Sequence, residues 1–267
     1  MTTAASAPLP RPRSLGGTLR VAVYVVLSLG ALYWSGAGLN VSPERLARGL
    51  PQVGKILGLM FGPPDWSYAP TVLSRLVESL QIAALGTALA AVLALPFGVL
   101  AARNLTRLPA LPFVGKTLLN LIRTFPELVL ALVFIRALGL GPFPGVLAIG
   151  LHSVGMLGKL YAERIETVDK GALEALSATG ASPWEVFRHG VIPEVLPDLL
   201  SFALYRFDLN VRAATVLGLV GAGGVGMILT LKQSAGDWPA IGTIVIGIIL
   251  TVGLVDFFSA KLRARLA

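Results

Sequence analysis

Long apolar blocks separated by short polar segments run through this chain. The hydrocarbon core of a bilayer needs roughly 20 residues of helix, and the blocks approach or exceed that length. Six blocks are present: 21–39, 80–102, 118–138, 146–161, 195–220 and 241–258. The pattern predicts an all-α polytopic membrane protein with about six transmembrane helices.

The segments on either side of the first block are of a different kind. Residues 1–19, rich in Ala, Pro and Arg, are predicted to form a disordered tail before a first transmembrane helix at 20–40. This helix could instead be a cleaved signal peptide, which shares a basic start and an apolar run. Residues 41–70 include an amphipathic stretch too polar to span, so we expect an interfacial helix and loop on the periplasmic side. Residues 71–267 are then the core domain.

A polar stretch carrying both signs of charge, residues 169–193, separates the fourth and fifth blocks. Asp169 is suited to cap a first short helix, and Gly180 follows where the apolar pattern stops, as a left-handed end residue does. Ser182 and Glu185 have the spacing of a capping box at the start of a second helix. We call this predicted pair of helices the elbow. Its second helix places three apolar residues on one side, namely Trp184, Phe187 and Val191.

The elbow resembles the cytoplasmic coupling loop of bacterial ABC-importer permeases. That family has Glu-Ala-Ala, three residues, Gly, nine residues, then Ile-x-Leu-Pro, and here Glu174, Ala175, Gly180 and Pro193 match at the same spacing. The positions of the second Ala, the Ile and the Leu hold Leu176, Gly190 and Ile192. Further segments resemble the phosphonate-transporter permease in particular: PDWSYAP (64–70), ESLQIAALGT (78–87), LPFGVLAARN (95–104), RTFPELV (123–129) and YRFDLNVRAATVLGLVGAGGVG (205–226).

This resemblance implies a type I importer permease fold with a cytoplasmic coupling helix pair, in the inner membrane of a bacterium. It also implies a homodimer that carries phosphonate or a related phosphorus oxyanion. The implied partners are a second copy of the chain, two cytoplasmic ATP-binding subunits, and a periplasmic or lipid-anchored substrate-binding protein. Phosphite, phosphate, a sulfonate or an amino acid are alternative substrates. An ion-coupled secondary transporter and a membrane enzyme are alternative classes.

The residues expected to contact the ATP-binding subunits all belong to the elbow. Glu174 is expected to hold the two helices together or to bond the ATPase, and the small residues are expected to allow close approach. The two aromatic side chains are expected to supply contact area, or alternatively to pack on their own elbow. The candidate coupling residues are Glu174, Ala175, Gly180, Ser182, Trp184, Phe187 and Pro193.

Composition and charge agree with a membrane protein. Apolar residues make up 55% and charged residues 13% of the chain, whereas soluble domains carry about 25% charged residues. Thirteen Lys and Arg residues fall in the two terminal segments, at 103–116 and at 159–188, against five in the segments on the other side, which predicts that both termini and the elbow are cytoplasmic. The net charge of +8 therefore indicates topology and contact with anionic lipid rather than nucleic-acid binding.

Charged residues inside the apolar blocks are the second set of candidates, because each costs at least roughly 2.5–3.5 kcal/mol to insert. Arg206, Asp208, Asn210 and Arg212 either tie the fifth helix to its neighbours or line a path for the anion. We favour Arg212 with Asn210 for the path. A two-fold axis would double the positive charge, and a guanidinium matches phosphonate oxygens.

The third block is interrupted by polar residues. Arg123 and Glu127 flank Pro126, about one helical turn apart, and either pair with each other or face the translocation path. A proline within a span bends the helix and frees a carbonyl group. We expect a bend here, and the resemblance places it on the path.

Several kinds of site are excluded. The chain has no Cys and only two His, His152 and His189, which are far apart, so we expect neither a metal site nor thiol chemistry. Residues 221–226 match G-x-G-x-x-G but follow a membrane helix instead of a strand, and no P-loop is present. We interpret them as a close-packed or re-entrant turn near the outer face. The chain is therefore expected to bind no cofactor and to be no enzyme, with ATP hydrolysis on a partner subunit.

Overall fold

A computed structural model describes residues 15–39, 42–105 and 108–266. These residues form helices and short connections, with no strand among them. The helices are α1 (Leu15–Gly38), α2 (Pro43–Phe61), α3 (Ala69–Ala101), α4 (Ala110–Thr124), α5 (Glu127–Leu138), α6 (Pro142–Glu166), α7 (Lys170–Ala178), α8 (Pro183–Val186), α9 (Ile192–Gly218), α10 (Val225–Ala235) and α11 (Trp238–Arg263). A 3₁₀ turn at Trp66–Tyr68 precedes α3, and a π-helical turn at Phe187–Val191 joins α8 to α9.

The chain divides into two compact units, residues 1–56 and 57–267. In the first unit, Leu19–Gly38 of α1 is long and apolar enough to cross a membrane, as the pattern predicts. The predicted disordered tail lies outside the described residues up to residue 14, and α1 begins at Leu15, within the predicted tail. The amphipathic stretch forms α2, whose last turn belongs to the second unit.

In the second unit, three further helices have the length and composition of a span: Trp66–Ala101, Pro142–Glu166 and Trp238–Arg263. The predicted third span is a broken one, because α4 and α5 meet at an angle of 78°. Pro126 cannot donate a helical hydrogen bond and forces Phe125 into an extended conformation (φ −76°, ψ 119°). The expected bend is therefore present, and it is sharp.

The predicted fifth span corresponds to α9, which has 27 residues. Its Asp and Arg residues are too many for composition alone to mark α9 as a span. Length and composition mark four spans among the described residues, or five with the bent pair, and they do not confirm the count of six. The polar side chains of α9 are the ones that build the site described below.

Small residues set the packing of α3 against α6. A Cβ atom on Gly98 would lie 2.8 Å from the Cβ of Tyr161, and one on Gly86 would lie 2.8 Å from a methyl group of Ile149. Lipid supplies little hydrophobic drive for helix association, so close approach of backbones at small residues is the main source of contact. The two helices accordingly form the centre of the second unit, with α4, α9 and α11 around them.

The glycine-rich segment after α9 forms a tight reversal. Gly221, Gly223 and Gly224 have φ values of +97°, +80° and +72°, which residues with a side chain rarely adopt. The N–H of Val225 donates to the hydroxyl oxygen of Ser79 at 2.9 Å, so the reversal is fixed to α3. The segment is a packed turn between two helices, unlike the strand–turn–helix unit of a dinucleotide-binding site.

The contact between α4 and α6 gives a test of this packing. A Cβ on Gly155 would lie 2.9 Å from the backbone oxygen of Leu119 and 3.0 Å from the backbone nitrogen of Arg123. We predict that Gly155→Ala lowers the stability of the purified protein by about 1–3 kcal/mol, the range for overpacking. The measurement is the thermal unfolding midpoint in detergent.

Gly253→Ala is the matched control, because nothing lies within 4 Å of a Cβ at that position on α11. Alanine is the better helix former, so this change should leave the midpoint unchanged or raise it. Equal midpoints for the two variants would show that α4 and α6 do not approach as described.

Candidate functional site

The first helix of the elbow is built from local signals in its sequence. Asp169 precedes α7, and its carboxylate accepts a hydrogen bond from the N–H of Gly171 at 3.0 Å. Gly180 has φ +87°, the conformation in which glycine ends a helix. Glu174 and Ala175 lie on the exposed side of α7. They are thus open to a partner, as a coupling surface requires.

The second helix begins with the predicted capping box. The N–H of Ser182 donates to Glu185 Oε2 at 2.7 Å, and the N–H of Glu185 donates to Ser182 Oγ at 3.4 Å. The hydrogen bond from the Ser182 backbone holds the pKa of Glu185 below its usual value. Because the folded-state pKa is lowered, the box contributes stability above the unfolded pKa and loses it as the pH falls through the folded pKa. At neutral pH the box is intact.

The elbow continues directly into the fifth span. Helix α8, the π-helical turn Phe187–Val191 and α9 follow one another without a break, whereas the sequence pattern suggested separate elements. Pro193 cannot donate to the carbonyl four residues earlier, and its ring would crowd that carbonyl. In the wide turn, the N–H of Ile192 bonds to Phe187 O instead, so the helix continues past the proline. A displacement of the elbow is therefore a displacement of the end of α9.

The three departures from the family pattern include a complementary pair. A Cβ on Gly190 would lie 2.9 Å from methyl groups of both Leu173 and Leu176. The family pattern has a small residue where this chain has Leu176 and a large one where it has Gly190. The larger side chain from α7 thus fills the space left beside the glycine. Gly190 therefore allows close packing of the two elbow helices.

The two aromatic residues of the elbow differ in their surroundings. Trp184 is 64% exposed, whereas Phe187 packs against the buried cluster that contains Val191 and Val195. Their ring centroids are 5.9 Å apart. These two side chains were expected either to offer contact area to a partner or to pack on their own elbow. Phe187 packs against the chain itself, whereas Trp184 leaves most of its surface available for contact.

A second candidate site lies where the broken helix faces α6 and α9. It is an open groove of about 540 Å³, lined by polar residues Glu127, His152, Arg206 and Arg212 and by Pro126, Leu209, Ala213 and Val216. Arg206 and Arg212 both reach it, although they lie roughly 120° apart around the helix axis. The apolar residues of α9 form the strip between them.

Arg206 is held firmly in this groove. Its side chain is 8% exposed, and its Nε donates to Ser153 Oγ at 2.8 Å. Its Nη2 lies 3.6 Å from Glu127 Oε2. Glu127 therefore pairs with Arg206 and not with Arg123, because the bend directs α5 away from α4. Arg123 stays exposed on α4.

Asn210 and Arg212 occupy different environments. Asn210 is fully buried, and its amide donates to Thr87 Oγ1 at 2.8 Å and to Ser153 Oγ at 3.1 Å. It joins α3, α6 and α9, and in this conformation it does not reach the groove. Arg212 is half exposed, and its Nη2 donates to both carboxylate oxygens of Asp256 at 2.7 and 2.8 Å. The predicted path roles of both residues stay predictions.

The sequence reasoning missed His152. Its Nδ1 lies 3.0 Å from the carbonyl oxygen of Phe125, the residue before the proline break. A carbonyl can only accept, so this hydrogen bond is made by the tautomer with the proton on Nδ1. An ionisable residue within a span signals a functional site, and this rule would have identified it. Among the described residues, no three His, Asp or Glu lie close enough together to hold a metal ion.

Comparisons with known proteins agree with one another. Residues 94–266 match the family described as the inner membrane component of binding-protein-dependent transport systems. The chain is 42% identical over 218 residues to the phosphite transport system permease protein PtxC of Stutzerimonas stutzeri, covering 82% of this chain and 79% of that protein. It is 38% identical over 217 residues to the phosphate-import permease protein PhnE of Mycolicibacterium smegmatis, covering 81% of this chain and 41% of that protein.

The fold is also that of a solved transporter. The structure of the MetNI methionine ABC transporter in an inward-facing conformation matches with a TM-score of 0.65 at 21% identity, covering 73% of this chain and 96% of that chain. At this identity the match concerns the fold alone. It supports the type I arrangement that the sequence implied.

The Leu176–Gly190 pair generates a double-mutant test. We predict that Gly190→Ile lowers the thermal unfolding midpoint, because the added side chain meets Leu173 and Leu176. The double variant Gly190→Ile with Leu176→Ala, which restores the family's sizes, should recover most of the loss. Contacting residues couple by about 0.5–3 kcal/mol.

The control is Gly190→Ile combined with Ser177→Ala, an exposed position on the same helix. This double variant should be no more stable than the single variant Gly190→Ile. Additive effects of Leu176→Ala and Gly190→Ile would show that the two residues do not share one space.

Proposed function

The chain belongs to the family of binding-protein-dependent transport system inner membrane components, and on that premise we propose that two copies form the passage of an ATP-driven importer for phosphonate, phosphite or a related phosphorus oxyanion. It is a permease subunit of an ABC importer and not an enzyme. It is a multi-pass protein of the inner membrane. Relatives named for phosphite and phosphate transport support this class of substrate.

The observation that carries the proposal is the groove at the broken helix, which two arginine side chains line. Arg206 and Arg212 present guanidinium groups, whose paired donors match the oxygens of a phosphorus oxyanion. Glu127 and Asp256 already occupy part of these donors. The anion must therefore compete with carboxylates, so it binds weakly and leaves readily, as a transport path requires. A two-fold axis beside the groove would double its positive charge.

The elbow supplies the mechanical input in this proposal. ATP-binding subunits would contact the exposed residues Glu174, Ala175 and Trp184. Because the π-helical turn joins the elbow to α9, closure of the subunits moves the helix that carries both groove arginines. The absence of a nucleotide-binding motif in the sequence agrees with energy delivered by a partner.

A second contact makes α6 move with α9. Arg164, near the end of α6, bonds to the carboxylate of Asp198, and its Nη2 donates to Glu194 O at 3.3 Å. His152 on α6 and Arg206 on α9 therefore belong to one unit that the elbow moves. This arrangement would open the groove alternately to the two sides of the membrane.

Orientation and domain limits complete the proposal. The elbow and both termini are cytoplasmic, and a periplasmic or lipid-anchored binding protein delivers the anion at the opposite end. In this proposal α1 is the first transmembrane helix, the segment that contains α2 is the periplasmic interfacial segment, and the permease core begins at residue 71. The thirteen Lys and Arg residues in the two terminal segments, at 103–116 and at 159–188, against five in the outer segments, support this orientation.

Reconstitution tests the function directly. With the ATP-binding subunits and binding protein in liposomes, we predict ATP-dependent uptake of phosphite or methylphosphonate. Gly180→Asp should abolish both uptake and the stimulation of ATP hydrolysis by the substrate. Residues with a side chain are disfavoured at φ +87°, so the substitution changes the shape of the elbow. Ser177→Asp, exposed on α7, is the matched control for the added charge.

Two outcomes would contradict the proposal. Uptake of an amino acid or of carnitine, with none of any phosphorus oxyanion, would refute the substrate. Unchanged uptake and ATP hydrolysis in Gly180→Asp would refute coupling through the elbow.

The groove makes a separate prediction about rate. Arg206→Gln should lower the maximal uptake rate about tenfold or more, because a hydrogen bond to a charged group contributes about 1.5–3 kcal/mol. Arg206→Lys should retain part of the rate. The concentration for half-maximal uptake should change little, since the binding protein sets it.

Arg45→Gln on α2 is the control, because it removes a positive charge at a position far along the chain from the groove residues. It should leave the maximal uptake rate unchanged. Equal rates for Arg206→Gln and wild type, in protein with an unchanged unfolding midpoint, would remove Arg206 from the path.

A further inference from the structure

A second polar pocket lies at the end of α4 and α6 nearest to the elbow. It has a volume of about 580 Å³ and is lined mainly by Arg103, Lys116, Thr117, Asn120 and Phe113. An adjoining recess of about 240 Å³ shares Lys116 and Asn120 with it and adds Lys159 and Glu163 from α6. We call the two together the elbow-end pocket. The groove at the broken helix does not include these residues.

A polar strip on α6 leads from the groove to this pocket. His152, Met156, Lys159 and Glu163 are spaced four, three and four residues apart, so they lie on one side of the helix. His152 lines the groove, and Met156 contacts Arg206. Lys159 and Glu163 line the elbow-end pocket. The same side of α6 therefore borders both sites.

Helix α4 presents polar residues of its own near this strip. Lys116, Asn120 and Arg123 are spaced four and three residues apart on one side of α4. Four exposed apolar residues occupy the opposite side of α4, namely Leu111, Val114, Leu118 and Leu121, whereas the exposed Phe113 lies beside the cations and lines the pocket. An amphipathic helix places its apolar side towards lipid, so the cations of α4 face away from the acyl chains.

The charges of the pocket are nearly balanced. Lys116 Nζ lies 2.9 Å from Glu166 Oε1, which also accepts a hydrogen bond from the backbone N–H of Arg103 at 2.8 Å. Lys159 lies 3.6 Å from Glu163. Among the described residues, three cationic side chains thus stand beside two carboxylates, an excess of one positive charge. The side chain of Arg103 is exposed.

We propose that the elbow-end pocket is a release site for the transported oxyanion on the side of the elbow, and this rests on the proposed function above. The anion passes from the groove along the strip of α4 and α6 and is held by Lys116, Lys159 and Asn120. Glu166 competes with the anion for Lys116, which keeps the site weak. Since the pocket opens to the receiving compartment, accumulated anion occupies it and slows further import.

The test uses the reconstituted full transporter in phosphatidylcholine liposomes preloaded with inorganic phosphite. The measurement is the initial rate of ATP-driven uptake of labelled phosphite at increasing internal phosphite. Lys116→Gln should raise the internal concentration for half-inhibition about tenfold, the change expected when one charged hydrogen-bond partner is lost. Glu166→Gln should lower it, because Lys116 is freed.

Lys261→Gln is the matched control, since this exposed lysine of α11 lies outside the pocket. Internal phosphite should inhibit this variant at the same half-inhibition concentration as the wild type. Liposomes preloaded with sodium chloride at equal ionic strength control for screening. If Glu166→Gln does not fold, binding of labelled phosphite is measured by equilibrium dialysis with wild type and Lys116→Gln in phosphatidylcholine nanodiscs. Lys116→Gln should then bind phosphite more weakly than the wild type.

The outcomes separate the two proposals. Normal uptake with equal half-inhibition in wild type, Lys116→Gln and Glu166→Gln would overturn the release site and leave the proposed function standing. Absence of uptake of any phosphorus oxyanion by wild type would refute the function itself. A lipid headgroup is the other source of a phosphate group. Loss of phosphite binding in nanodiscs with phosphatidylglycerol, together with Lys116-dependent retention of that lipid, would make the pocket a lipid site and overturn the release site.

Discussion

Charged side chains in an apolar interior must be paired or solvated, and this constraint determines the arrangement of α9 and its neighbours. Arg206 is nearly buried and finds partners in Ser153 and Glu127, while Arg212 finds partners in Asp256 and in Asp208 of its own helix. Glu127, Ser153 and Asp256 lie on three other helices, so these pairs fix α5, α6 and α11 around α9. The same pairs border an open groove, because the bend at Pro126 keeps α5 from covering them.

The groove and the elbow are connected through a continuous backbone. Had Pro193 ended the helix, the elbow would be attached to the fifth span by a flexible joint. The π-helical turn removes that joint, and Arg164 adds a side-chain connection between α6 and α9. A rigid connection of this kind transmits displacement over the length of a helix. The site of energy input and the groove are thereby parts of one mechanical element in the proposed importer.

The elbow shows how a chain accommodates departures from its family pattern. Leu176 and Gly190 each depart from the family's residue, and the two meet across the contact between α7 and the π-helical turn. Loss of volume at one position is offset by gain at the other, so close packing is preserved. The exposed surface around Trp184 therefore rests on a packed base.

The sequence by itself determined the features that depend on near neighbours. These are the caps at Asp169 and Ser182, the helix end at Gly180 and the break at Pro126, since each follows from hydrogen bonds or backbone limits within a few residues. The resemblance in the elbow was also enough to predict the family. Only the tertiary structure decided which charges meet: Glu127 bonds to Arg206 instead of Arg123, Asn210 is buried, and His152 joins the groove. The physical reason is that these contacts join residues far apart in sequence, and their geometry depends on the 78° bend and on the close approach of helices at glycine. No local pattern contains that information.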